Sequence, residues 1–547
     1  MSDLAAYAGR WVALSGQVVA GVGYTAEEAL QLARRNRPKE RFTLQFVEEA
    51  NGESLTLSPL LERLRPFLIQ QDRPVYLVGG AVRDALLNRV SHDLDFVVPH
   101  RAIQMAFKTA NSLSVPAYVL DQERDTGRVV LAEEGTTLDF ACFRGVSLEA
   151  DLRDRDFTIN AMALPATAVT RASLIDPCNG AADLQARLIR QTHDKAIASD
   201  PVRALRALRL AINLDFALAD ETITAVSAAA PLLPNVSIER VRDELLKLLE
   251  TAVPHQAIQQ MADLNLLPVV LPEIAALADV AQSPPHHEPV LAHTQSVLRW
   301  LVQIETLLDG SEPDDAFLRP AAAVLADFRP QLQEHLARRI DGGVNGRTLL
   351  RLGALFHDVG KKETQTVEGD ACPEQGRRGR IRFLGHDKAG AKLTARRLRR
   401  LTMSNQAISH VAKIVEGHMR PLLLANEGGA PSRRAVYRYF RDTQEAGLDT
   451  CLLTLADHLA TFDGLGDEAQ WQRLLHVVAI LLRHFFEHYE ETIAPPTLVT
   501  GHDLMTTFAI APGPEIGRLL RLIQEAQAAG EITTRNEALA FARHSRQ

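Results

Sequence analysis

One stretch, VYLVGGAVRDALLNRVSHDLD at residues 75–95, constrains the fold most, because it reads as strand, tight glycine turn, helix and a second strand bearing two carboxylates. Val75 to Val78 is a short apolar run of strand-forming types. Gly79 and Gly80 end it and remove side chains where a phosphate has to approach the backbone. The pattern predicts a helix over 81–87, with Arg83 and Asp84 in its first turns. Its N-terminal N–H groups and partial positive charge suit that phosphate. Asp93 and Asp95 follow, ahead of the apolar Phe96, Val97 and Val98. Alternate residues of a strand share a face, so these carboxylates should lie roughly 6 to 7 Å apart and point the same way. Such a pair suits two divalent ions about 3.5–4 Å apart, which neutralise a triphosphate and activate an attacking hydroxyl. A lone Asp-x-Asp is more simply a surface turn with two solvated aspartates. Gly-Gly-x-x-Arg-Asp upstream at this spacing argues instead for a nucleotidyl-transfer site.

The stretch resembles the head domain of the bacterial tRNA nucleotidyltransferase and poly(A) polymerase family, of the class II CCA-adding type, whose fold is that of the polymerase-β nucleotidyltransferases. The resemblance implies that Asp93 and Asp95 hold catalytic Mg²⁺, and that Gly79, Gly80, Arg83 and Asp84 belong to the nucleotide site. In TTLDFACF, Asp139 sits in a strand-like run, and by resemblance it is a general base or further metal ligand, with a structural edge aspartate as the alternative. DLRDRDFTINAMAL is similar to the family's Arg-Asp-Phe-Thr-Ile-Asn-Ala motif, which implies that Arg155 contacts phosphate while Asp156 and Asn160 hold the ribose. A packing role is the alternative for Asn160. IDPCNGAADL at 175–184 is similar to a family turn, with Ala181 where a second glycine is usual, and reads as structural.

From 196 to about 275 the pattern is helical, and Arg203, Arg206 and Arg209 fall three apart on one flank, away from leucines 205, 208 and 210. A solvated flank is the simpler reading. The segment nonetheless resembles the family's neck helix, in which an Asp and an Arg three residues later hydrogen-bond the incoming base, implying a templating pair at Asp200 and Arg203. VSIERVRDELLKLL at 236–249 also matches a family helix, with Ser237 as its cap.

Pro284-Pro285 marks a linker, after which His293, His357, Asp358, His386, His418 and Asp457 recur in helical sequence. LFHDVGK and FLGHDKAGA resemble the HD-domain metal-dependent phosphohydrolases. The resemblance implies that these six residues hold a pair of Mn, Fe, Co, Ni or Mg ions that generate hydroxide for phosphoester hydrolysis. A fused domain kept as scaffold is the alternative. ACPEQGRRGR at 371–380 reads as an inserted loop, and Arg396, Arg397, Arg399 and Arg400 as a basic helix that follows an RNA backbone or is merely solvated. APGPEIGRLLRLIQEAQAAGEITTRNEAL resembles the family's C-terminal segment, and its Pro-Gly-Pro turn before a helix is a phosphate-site candidate.

At 547 residues the chain is long enough for three or four domains. The expected parts are a hairpin-helix-strand module at 1–52, the head at 55–195, a helical neck and body at 196–280, the HD domain at 285–465 and a helical tail at 466–547. In the module, Thr25 should cap a helix from Ala26 to about Arg35, with Glu28 at the capping-box position, and Phe42 to Val47 alternates as a strand. There is no run of about 18 apolar residues to span a membrane, and MSDLAAYAGRW has no leader character. Cys142, Cys178, Cys372 and Cys451 lie far apart, which suggests neither zinc nor disulfides and a cytoplasmic setting. A net charge of −8 argues against indiscriminate nucleic-acid binding but leaves room for a basic RNA-binding face.

The expectation is therefore an α+β multidomain enzyme that uses CTP and ATP to add C or A residues to the 3′ end of tRNA or another RNA. A poly(A) polymerase shares every head motif and is the rival within enzymes. A phosphohydrolase whose head only binds RNA is the rival of another class, and the intact aspartate pair speaks against it. FACFRGVSLEADLRDRDF follows Asp139 with no room for a long mobile arm. Family members restricted to adding two cytidines lack that arm, so the resemblance implies CC addition with poor addition of A, unless residues 121–128 supply the switch.

Overall fold

The computed structural model begins with a hairpin of β1 (Trp11–Ser15) and β2 (Val18–Gly23), turned at Gly16, whose φ of +62° favours glycine. Thr25 starts α1 (Ala26–Asn36) by accepting the Glu28 N–H on its hydroxyl at 3.1 Å. β3 (Thr43–Phe46), the strand expected within 42–47, pairs antiparallel with β1, in the order β2-β1-β3. Described are residues 7, 10–16, 18–23, 25–47, 55–168, 170–313, 315–340, 343–368, 380–464 and 466–546. The chain divides into two units, Met1–Ala229 and Ala230–Gln547.

In the first unit, α2 (Pro59–Ile69), β4 (Tyr76–Val78), α3 (Gly80–Leu86), β5 (Asp93–Val98), α4 (Ala102–Leu113), β6 (Ala117–Asp121), β7 (Thr126–Leu131), β8 (Thr136–Cys142), α5 (Leu148–Arg153) and β9 (Ala163–Pro165) build the head. Its sheet has the order β6-β7-β8-β5-β4-β9. β5 and β8 run parallel with Asp95 opposite Asp139, and the other neighbours are antiparallel. On one face of β5, Leu94, Phe96 and Val98 are buried, and Phe96 stacks on Phe140 with ring centroids 4.8 Å apart. Burial of each such side chain contributes about 1.5–3 kcal/mol. On the other face Val97 packs with Val78, Leu152 and Ala163, so only the end bearing Asp93 and Asp95 stays open.

α4 is capped from a distance. Asp125 accepts the N–H groups of Ala102 and Ile103 at 3.0 and 2.9 Å, and the Cys142 thiol donates to it at 3.0 Å. Past the head come α6 (Gly180–Ala186), β10 (Leu188–Ile189), α7 (Ala196–Ser199) and α8 (Arg203–Leu214). The helical stretch expected from 196 is broken at Asp200, since the following Pro201 disfavours helical backbone there. Leu205, Leu208 and Leu210 are buried and Arg206 and Arg209 half-exposed, but Arg203 is buried, so the three arginines are not one solvated flank.

The second unit is mainly helical. Ser237 precedes the helix Ile238–Leu249, yet its hydroxyl makes no capping bond, contrary to expectation. Helices Val290–Leu307, Gly346–Phe356, His386–Arg400, Asn405–Gly417 and Ala446–Phe462 form the HD core. A buried ion pair ties two of them, Arg351 donating to both oxygens of Glu305 at 3.0 and 2.6 Å. The expected loop at 371–380, with Cys372, lies outside the described residues except for Arg380, which opens the strand Arg380–Arg382. Arg397 is not on an RNA-facing surface: it is buried and forks onto Glu273 at 2.8 and 2.9 Å, while Arg396, Arg399 and Arg400 are exposed. In the tail, Leu504, Leu519 and Ile523 centre a separate core. The helix Pro514–Ala528 has Pro514, which lacks an N–H, and Glu515 in its first turn, so an anion meets a carboxylate rather than free donors there. Among the described residues Cys142, Cys178 and Cys451 are free, and no helix is long and apolar enough to cross a membrane.

Candidate active sites

Three carboxylates meet on the open face of the head sheet. Asp93 and Asp95 share a face of β5, and the parallel register with β8 sets Asp139 beside Asp95. Asp93 accepts from the Thr137 hydroxyl at 3.1 Å. Asp139 is gripped by Arg128 of β7, whose Nε and Nη2 each donate to one oxygen at 2.6 Å. Burial, and then the charges of Asp139 and Asp93, push the Asp95 pKa up against the opposing Arg155. Because Asp95 is exposed on its open side, the neighbouring charges are the firmer cause and burial the weaker. A divalent cation would relieve this excess of negative charge, so the donor set fits one.

Gly79 stands where the turn needs it. Its φ is +73°, and a Cβ there would lie 3.3 Å from Arg155 Nη1 and 3.6 Å from Asp95 Oδ2. Arg155 is aimed by the buried Asp151, to which Nε and Nη2 donate at 3.2 and 3.1 Å. Gly80 lies against the Arg83 guanidinium. Arg83 donates to Asp84 through Nε and Nη2 at 2.9 and 2.7 Å, and through Nη1 to Asn160 Oδ1 at 2.8 Å. Asn160 Nδ2 in turn donates to Asp156 at 3.3 Å, and Arg206 donates to the other Asp156 oxygen at 3.0 Å. Burial works against the Asp156 charge, but Arg206 and the Phe157 N–H hold its pKa below the usual carboxylate range. Arg203 spends its guanidinium on the carbonyls of Ala196, Asp154 and Arg155 at 2.9, 3.2 and 3.4 Å, with Asp200 3.7 Å away. Arg209 lies half-exposed further along α8.

The second site lies in the HD domain. His293 Nε2 lies 2.9 Å from Asp457, and His357 Nε2 is 3.1 Å from Asp358 and 3.9 Å from Asp457. His386 and His418 Nε2 reach Asp358 at 3.5 and 3.9 Å. His357, His386 and His418 all turn Nδ1 to a backbone carbonyl, at 2.7, 2.8 and 2.6 Å, which leaves each Nε2 with its lone pair facing inward. His386 and His418 thereby bring their two Nε2 atoms to 3.2 Å, an arrangement a cation between them suits. Burial and the neighbouring His357 and His386 push the His418 pKa down to about 4, keeping the imidazole neutral. All six expected residues are together, in two groups whose donor atoms lie within 4.8 Å of one another.

Sequence reasoning missed several supporting residues. Arg128 carried no signal, because its partner is set by strand register, whereas Asp151 was legible as an acidic group four residues before Arg155. Lys361, whose Nζ lies 2.6 Å from Asp358, was legible in HDVGK as a basic group three residues on. His286, its ring 4.8 Å from that of His293 and its pKa lowered to about 4 by burial, lies in the linker after Pro284-Pro285.

Four family models match: the Poly A polymerase head domain at 75–190, the probable RNA and SrmB-binding site of polymerase A at 215–277, the HD domain at 332–461, and the putative tRNA nucleotidyltransferase domain 2 at 493–542. The chain is 34% identical over 488 residues to an A-adding tRNA nucleotidyltransferase of Deinococcus radiodurans, covering 88% of this chain and 97% of the relative. It is 32% identical over 487 residues to a CC-adding tRNA nucleotidyltransferase of Thermus thermophilus, covering 87% and 94%. Among solved structures it shares the fold of a CCA-adding enzyme complexed with ATP, at 20% identity and a TM-score of 0.56, covering 89% of this chain and 95% of that one. Nucleotidyltransferases and HD domains alike depend on metal. With its head, body, HD and tail matched in order, the chain belongs to the tRNA nucleotidyltransferase family and is a nucleotidyltransferase with a fused HD domain.

Proposed function

We propose that the chain adds cytidines from CTP to the 3′ end of tRNA, with Asp93, Asp95 and Asp139 at the reacting centre. The observation that carries this is the meeting of the three carboxylates beside Gly79 and Arg155 on the open face of the sheet. The RNA 3′ hydroxyl attacks the α-phosphate and pyrophosphate leaves. Mg²⁺ held by Asp93 and Asp95 would supply charge neutralisation at the triphosphate and polarise the attacking hydroxyl. Gly79 keeps the turn clear for the phosphates, and Arg155, fixed by Asp151, donates to them. With both oxygens directed by Arg128 and its strand position opposite Asp95, Asp139 takes the role of a further metal ligand. Gly80, Arg83, Asp84, Asn160, Asp156, Arg206 and Arg209 form the ribose and phosphate wall, and Asp200 with Arg203 reads the base edge through hydrogen bonds.

The restriction to cytidine rests on the link from Asp139 to Arg155. β8 ends at Cys142, α5 starts at Leu148 under a Ser147 cap, and Arg144 N–H is tied to Asp151 at 3.0 Å, so no mobile arm fits there. The Deinococcus relative, named A-adding at 34% identity, favours a second reading, addition of the terminal adenosine. Purified protein incubated with tRNA lacking its 3′ end, or ending in C or CC, and each labelled nucleotide separates these. CC addition with poor A addition is expected. Efficient single-A addition to tRNA ending in CC overturns the cytidine reading, and a long adenosine run identifies a poly(A) polymerase.

The HD set is assigned a pair of Mn, Fe, Co, Ni or Mg ions and phosphoester hydrolysis. The separate cores of the N-terminal module and the tail support the division at 1–52, 55–195, 196–280, 285–465 and 466–547. A cytoplasmic location accords with the free cysteines.

A further inference from the structure

The HD core contains a second histidine–carboxylate cluster that the six-residue set leaves unused. His335 lies on the helix Arg329–Ala337, His410 on Asn405–Gly417 and Asp449 on Ala446–Phe462. His335 and His410 bring their Nε2 atoms to the same oxygen of Asp449, at 3.0 and 2.8 Å. Side-chain exposure is 6% for His335, 10% for His410 and 0% for Asp449. The other Asp449 oxygen is buried and has no hydrogen-bond partner among the described residues. A carboxylate with one oxygen doubly engaged and the other orphaned is an incomplete site.

We infer that His335, His410 and Asp449 bind one divalent transition-metal ion of the zinc class, clasping three helices of the HD domain. Two imidazoles and one carboxylate are a zinc-type donor set, and all three donor atoms already lie within 4.8 Å of one another. Ligand atoms around tetrahedral Zn²⁺ stand about 3.3 Å apart, so the two nitrogen–oxygen separations of 3.0 and 2.8 Å need widen by only a few tenths of an ångström. The site is distinct from the hydrolytic set. Asp449 precedes Asp457 on its helix, and His410 precedes His418, by eight residues in each case, or about 12 Å along the axis. Arg338 and Glu445, at the ends of two of these helices, engage each other at 3.1 Å and leave the trio to the ion.

The test uses the full chain carrying His357→Ala and Asp358→Ala, which disables the hydrolytic set, stripped with chelator and titrated with Co²⁺. One equivalent is expected to bind with the intense visible band of a four-coordinate nitrogen–oxygen site, a band that octahedral Co²⁺ on the Asp93–Asp95 carboxylates does not give. Adding His410→Gln or His335→Gln removes the band. Glutamine retains an N–H to donate to Asp449, so the fold is kept, as far-UV circular dichroism and nucleotide addition check. Zn²⁺ should likewise raise the melting temperature of the parent chain and of neither glutamine variant. A parent chain that binds no such ion shows a hydrogen-bonded clamp only and overturns the inference, as does a band that survives both glutamine substitutions.

Discussion

Arg128 and Asp139 face each other across antiparallel strands, and the guanidinium donates to both carboxylate oxygens at 2.6 Å. The fork fixes the carboxylate's direction as well as its charge. Arg128→Ala should therefore lower nucleotide addition by about 10–100-fold, as loss of a ligand's support does. The pair is partly exposed, so thermal stability should change by less than about 1 kcal/mol. Steady-state kinetics over a Mg²⁺ titration, beside a melting curve, checks both halves. Unchanged addition removes Asp139 from the site.

Asp93→Ala and Asp95→Ala act on the triphosphate side and not on the RNA. Each should cut addition below about a hundredth of wild type, since ligands matter more than their supports. tRNA binding, measured by gel shift, should be nearly intact. Near-normal incorporation by either variant would remove the carboxylate pair from the reaction.

His357→Ala with Asp358→Ala separates the two sites, whose residue sets do not overlap. Any metal-dependent phosphatase or cyclic phosphodiesterase activity should vanish while nucleotide addition persists. If the wild type hydrolyses nothing with Mg²⁺, Mn²⁺, Co²⁺ or Ni²⁺, the HD domain is a scaffold.

Asp125 predicts an acid sensitivity. Burial opposes its charge, but the Cys142 thiol and the N–H groups of α4 hold its pKa below the ordinary value of 3.8. The carboxylate's contribution is thus fully present above pH 3.8 and lost as pH falls through the lower folded value. Asp125→Ala should cost about 1 kcal/mol at neutral pH, the usual worth of a helix cap. Urea melts across pH should show the gap closing in acid. A gap that stays constant to pH 2 would place the effect elsewhere than in the charge.

What was legible in the sequence was local. The turn at Gly79 and the alternation of Asp93 with Asp95 need only adjacent residues, and the observed elements start within one residue of expectation. The six HD residues were legible because histidines and aspartates are polar types in otherwise apolar helices. What was not legible depends on register or distant packing. Arg128 finds Asp139 only through strand pairing, and Arg397 turns inward because Glu273 waits for it from far upstream. The trio of His335, His410 and Asp449 spans three helices with no shared motif.

Arg203 also bears on how nucleotide choice can be studied. By holding the carbonyls of Asp154 and Arg155 together with that of Ala196, it stitches the turn after α5, which carries Arg155 and Asp156, to the start of α7. Any allele that removes its guanidinium unpicks this seam at the same moment as it removes the base contact proposed for it. A loss of CTP selectivity in Arg203→Ala would then mix misreading with slack in the cradle. Asp200→Asn, which changes the edge proposed to face the base and leaves the seam sewn, is the cleaner instrument for dissecting fidelity in this enzyme.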